Sequence, residues 1–175
     1  MNDGPPADPS AGPPSDPATD PYELARSCAD AMWAGDRASQ ALGMRLVDVA
    51  PGAATLGMTV RDDMVNGHGT AHGGFVFLLA DSAFAFACNG YDVRTVAYGC
   101  TITYLTPARL GVELTAVASE RSRSGRTGTY DVTVRVAERV IAEFRGTSRT
   151  VGGPVRPVRD TSSGAAPRLG DRRST

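Results

Sequence analysis

The chain has 175 residues, with 18 basic against 19 acidic side chains, a net charge of -1 and a mean hydropathy of -0.19. That length suits one domain of ordinary size, and the balanced charge argues against a basic nucleic-acid-binding surface. Three cysteines without CxxC spacing suggest neither a disulfide framework nor a zinc site, and the apolar run at residues 75–88 is shorter than the roughly 20 residues of a membrane span, so a chain of the reducing cytoplasm is expected.

Residues 1–20 contain six prolines. They offer too little apolar surface to offset the entropy of ordering, and residues 153–175 are similar. Both segments are expected to be disordered tails, leaving a domain over residues 21–152. Tyr22, Leu24, Ala25, Cys28, Ala29, Met32 and Trp33 recur at three- and four-residue steps, which predicts an amphipathic helix ending near Gly35. Strands are expected at residues 44–50 and 54–61, separated by the turn signal APG. Next comes the run GGFVFLLADSAFAFAC, which predicts a long helix that is apolar almost all round, as in a helix enclosed by a sheet. Four further segments, 95–105, 111–122, 128–137 and 139–151, are rich in β-branched and aromatic residues with near period-2 alternation. The predicted class is therefore α+β: an antiparallel β-sheet wrapped around a long central α-helix.

The stretch NGHGTAHGGFVFLLADSAFAFACN, followed by CTITYLTP and later by SGRTGTYDV and AEFRGTSR, resembles the hotdog-fold acyl-CoA thioesterases, in particular the branch associated with phenylacetate degradation. The resemblance covers roughly residues 22–152. It implies a hotdog fold, hydrolysis of acyl-CoA thioesters such as phenylacetyl- or hydroxyphenylacetyl-CoA, and a homodimer with a continuous sheet, usually paired into a tetramer. It further implies that Gly73 donates its backbone N–H to the thioester carbonyl and that Asp81 serves as general base or nucleophile. No metal or other cofactor is expected, coenzyme A being part of the substrate.

Elementary chemistry supports these roles independently. A helix N-terminus presents free N–H groups and the positive end of the helix dipole, which favour a developing oxyanion. Gly73 and Gly74 stand where the long helix should begin, and a side-chain-free backbone admits a carbonyl closely. Burial would raise the pKa of Asp81 and leave its carboxylate poorly solvated. Asp81 is also open to being an N-cap that splits the run into two helices. Eight residues of helix separate Gly73 from Asp81 by about 12 Å, too far for one carbonyl to touch both. Two such helices antiparallel across a two-fold axis would bring the N-terminus of one to the Asp of the other, making the dimer the catalytic unit.

The remaining candidates have plainer alternatives. Asn66 can orient a water or the carbonyl, or be a simple turn residue. His72 can hold the loop or its Gly neighbour, or contact the acyl group. His68 and His72 are four apart, but the glycines around them argue against a helical metal site. Ser82 lacks the GxSxG surroundings of a serine nucleophile. The turn carrying Arg121, Arg123, Ser124, Gly125, Arg126 and Thr127 suits the phosphates of coenzyme A, or is a solvated hairpin tip. Apolar side chains such as Phe75, Phe84, Tyr98 and Tyr104 are candidates to line an acyl pocket. On the same fold, a non-catalytic acyl-CoA-binding protein and an enoyl-CoA hydratase remain alternatives.

Overall fold

The computed structural model describes residues 20–157. Most of both predicted tails lies outside them. Asp20 caps the first helix, α1 (Pro21–Gly35), by accepting from the Tyr22 N–H. Asp36 then caps a second, five-residue helix, α2 (Arg37–Ala41), which the sequence pattern did not announce. The strands follow as β1 (Arg45–Ala50) and β2 (Ala53–Thr59), and a single 3-10 turn (Asp62–Met64) leads to the long helix α3 (Gly73–Cys88). Four strands close the chain: β3 (Thr95–Tyr104), β4 (Glu113–Ser124), β5 (Thr127–Val136) and β6 (Arg139–Thr150).

All neighbouring strands pair antiparallel in one six-stranded sheet, ordered β1-β2-β4-β5-β6-β3. The sheet curls around α3, burying Val76, Leu79, Ala80, Ala83, Phe84 and Phe86 against side chains such as Leu56, Leu114, Val132 and Phe144. The alanines on α3 and on β4 keep helix and sheet close. Gly146 serves the same end, since a Cβ there would stand 3.0 Å from the Phe84 and Phe144 rings. Truncating a buried Phe of this kind typically costs about 3–5 kcal/mol, so α3 is a firm support for whatever it carries.

Two expectations change here. First, α3 is not covered all round: Phe77, Leu78, Asp81 and Ala85 form a half-buried stripe at helical spacing. One sheet can wrap only one side of a helix. Beside that stripe runs β3, an edge strand whose Val96, Tyr98 and Tyr104 are 48%, 69% and 52% exposed.

Second, the C-terminal boundary lies beyond residue 153. The Asp92 carboxylate accepts from Val155 N–H, Arg156 N–H and Arg156 Nε at 3.0, 2.9 and 2.9 Å, and Arg94 N–H donates to Gly153 O. Composition could not reveal this, because three donors meeting one turn carboxylate is a tertiary event. Burial alone would raise the Asp92 pKa, but Arg156 and the two N–H groups outweigh it and hold the carboxyl below its usual range. A chain ending at residue 152 should therefore melt about 3–6 °C below one ending at 157, the cost of about 1–2 kcal/mol for partly exposed charge-assisted bonds. Because the native pKa is depressed, the contribution is present above the unfolded carboxylate value. The gap between the two chains should close as pH falls below about 4.

Candidate active site

At the start of α3, the loop of residues 66–72 is tied by its own polar groups. Asn66 Oδ1 accepts from His68 N–H at 2.9 Å and from Thr70 N–H and Oγ1 at 3.3 Å each, so its carbonyl end acts as a turn organiser. His72 is the N-cap: its Nδ1 accepts from Gly74 N–H at 3.0 Å, and its backbone N–H donates to Met64 O. Phe75 N–H turns back to His72 O. Among the described residues the Gly73 N–H has no acceptor, so one donor at the positive end of a 16-residue helix points at no protein group.

Tyr104 completes this corner. Its hydroxyl donates to Gly73 O at 2.9 Å, and a Cβ on Gly73 would lie 3.0 Å from the tyrosine ring. A cleft of ≈ 360 Å³ opens here, lined by Gly73, Val76, Tyr104, Leu105, Ala108 and Ile141. Sequence reasoning had named Tyr104 only as a pocket candidate. The alternation Cys100, Ile102, Tyr104 was the available signal that these three share a strand face.

Asp81 lies two turns further along. α3 runs unbroken through it, which removes the reading of Asp81 as a second N-cap. Burial raises its pKa, and a hydrogen bond from Cys100, whose Sγ lies 3.9 Å from Oδ1, lowers it in part. Cys100 was not singled out in the sequence. The neighbouring Ser82 Oγ is engaged with the buried Ser39 Oγ at 3.0 Å and so ties α3 to α2 rather than facing a substrate.

The hairpin of Arg123, Ser124, Gly125, Arg126 and Thr127 stands at the other end of α3. Arg123 stacks 3.8 Å over the Tyr91 ring and sits 3.6 Å from Glu120, whose Oε2 accepts from Tyr91 and Tyr130 hydroxyls at 2.9 and 2.8 Å. Arg126 donates to Thr150 O at 3.0 Å, Thr127 Oγ1 donates to Ser124 O, and Arg121 pairs with Asp131. Gly125 takes φ +56, the left-handed turn conformation that glycine suits. A cavity of ≈ 190 Å³ separates this hairpin from Cys88. One chain thus brings Asn66, His72, Gly73 and Gly74 together and leaves Asp81 and the hairpin apart from them.

The comparisons with known proteins agree with this architecture. The thioesterase superfamily pattern matches residues 68–143. Acyl-coenzyme A thioesterase PaaI of Escherichia coli is 42% identical over 128 residues, spanning 73% of this chain and 91% of that one. The structure of the E. coli PaaI protein from the phenylacetic acid degradation operon superimposes with a TM-score of 0.76 at 40% identity, over 77% of this chain and 99% of that chain. The TT0310 protein of Thermus thermophilus superimposes with a TM-score of 0.62 at 43% identity, over 63% of this chain and 94% of that chain. The smu.793 protein of Streptococcus mutans, bound to acetyl CoA, does so at 0.61 and 25% identity, over 63% of this chain and 90% of its own. With nearly the whole E. coli enzyme matched at that identity, the chain belongs to the thioesterase superfamily and is a thioester hydrolase on the hotdog fold.

Proposed function

We propose that the protein hydrolyses the thioester of an aryl-acetyl-CoA, phenylacetyl- or hydroxyphenylacetyl-CoA or a similar medium acyl-CoA, to the free acid and CoA. The observation that carries this is the Gly73 N–H, unpaired among the described residues, beside a largely apolar cleft that Gly73 lines, on a chain 42% identical to the E. coli acyl-CoA thioesterase. The carbonyl oxygen accepts from that N–H, the helix dipole favours the developing oxyanion, and the acyl group enters the cleft. Asp81, partly withdrawn from water, attacks the thioester carbon or takes the proton of an attacking water. His72 and Gly74 fix the helix start and Asn66 fixes the loop. The acetyl CoA bound to the S. mutans protein supports a CoA thioester as substrate class.

A homodimer is the catalytic unit, with tetramer formation a further step. Support comes from the half-buried α3 stripe that carries Asp81 and from the open, apolar edge of β3 beside it. Pairing β3 with its two-fold mate continues the sheet and sets the two α3 helices side by side.

Free-thiol release over a panel of acyl-CoAs and matching acyl-pantetheine thioesters tests this reading. Aryl-acetyl-CoA should be turned over fastest. Turnover of none of the panel would leave a binding protein instead. Replacing Arg123 and Arg126 with Ala should raise KM for acyl-CoA about tenfold or more while changing KM for acyl-pantetheine little, because guanidinium groups recognise the nucleotide phosphates. An equal change on both substrates would assign the hairpin a structural role.

A further inference from the structure

Cys100 sits on β3, the strand that borders the half-buried face of α3, and its Sγ lies 3.9 Å from Asp81 Oδ1. Among the described residues no other donor is paired with that carboxylate, and no Arg or His reaches it. We infer that Cys100 is a positioning residue for the reaction: its thiol donates to Asp81, restrains the carboxylate to one rotamer and favours its ionised form at the catalytic position. The inference rests on the assignment of Asp81 as the base or nucleophile.

The chemistry is matched to the place. A carboxylate that must react at the dimer face cannot be neutralised by an arginine without losing its nucleophilicity, whereas a thiol is a weak donor that orients without quenching. Burial and the adjacent Asp81 carboxylate raise the Cys100 thiol above its ordinary value, so it remains S–H at neutral pH and donates to the ionised carboxylate, which can only accept. The other groups in reach do not replace it. Cys88, seven residues along α3, is pushed up to about 12 by burial first, and its Sγ already donates to Ala85 O at 3.5 Å. Glu120 of β4 and Tyr130 of β5 are bonded to one another toward the end of the helix that carries Cys88.

The acid limb of kcat/KM reports Asp81 ionisation in the free enzyme, and it separates this role from simple packing. In Cys100→Ala the limb should move to higher pH by about 0.5 of a unit, the size of shift a weak donor can supply. Cys100→Ser, which keeps a donor, should return it to the wild-type position or below. Were Cys100 only a filler, Ala would admit water beside the carboxylate, and the limb would stay or move to lower pH; either result overturns the inference. Should Cys100→Ala fail to fold, the wild-type S–H stretch in the infrared, assigned by its loss in Cys100→Ser, carries the test. It should shift to lower wavenumber as Asp81 ionises and should not titrate in Asp81→Asn. A band that ignores pH in the wild type, or titrates equally in both, overturns it. Failure of the underlying reading would look different, because Asp81→Asn would then retain turnover whatever Cys100 does.

Discussion

Asp81→Asn should lower kcat by at least about 10²-fold and change KM far less, within the range expected for loss of a general base or nucleophile. Asn preserves the size and one acceptor oxygen, so the Cys100 contact and the packing of α3 survive while the ionisable group is gone. The fold should not suffer. Burial raises the native Asp81 pKa above its unfolded value, so the ionised carboxylate is disfavoured in the folded state and stability declines as pH rises through that window. At neutral pH the Asn variant should melt at the same temperature as the wild type or higher, which is the usual mark of a functional group held at a cost in stability. Steady-state thiol release with a melting curve on the same preparation checks both halves. A folded variant with near-normal turnover removes Asp81 from the mechanism.

Mixing two inactive variants should restore activity. Gly73→Pro removes the free N–H, and the site accepts a proline backbone: it is the first position of α3, and His72 before it is already extended at φ -64 and ψ 131. Its ring meets Tyr104, however, since even a Cβ would be 3.0 Å from that side chain. Gly73→Ala makes the same collision but keeps the N–H, so its activity measures the collision alone. Gly73→Pro and Asp81→Asn should each be nearly inactive as homo-oligomers. If the site takes Gly73 from one protomer and Asp81 from its partner, a mixed dimer has one site with both lesions and one with neither. Co-expression with two tags should then recover up to about half the wild-type rate per dimer. If both residues act within one chain, every site keeps a lesion and mixing recovers nothing.

The elements were legible where the pattern was local. Six strands and two helices follow from period-2 and period-3.6 apolar spacing, and the glycines before Phe75 mark the start of α3. The five-residue α2 was not, because Asp36 caps both the end of α1 and the start of α2 and so leaves no periodic run to read. Residues 153–175 read as a tail by composition, yet Val155 and Arg156 are gathered by Asp92, more than sixty residues away.

By itself the sequence determined which groups are available: an N–H at a glycine-led helix start, one carboxylate in an apolar helix, and a spacing of about 12 Å that keeps them apart on one chain. Those are properties of side-chain type and helix rise, and neither depends on partners distant in sequence. Tertiary structure alone decided how each is held. His72 takes the Gly74 N–H and leaves that of Gly73, Tyr104 closes over the glycine from a strand thirty-one residues on, and the Cys100 thiol meets Asp81 from the sheet edge. Only the curl of the sheet could show that α3 is wrapped on one side, with the Asp81 face left half-buried. These contacts depend on strand order and register, and no periodicity along one chain encodes which distant residues the sheet brings to its helix.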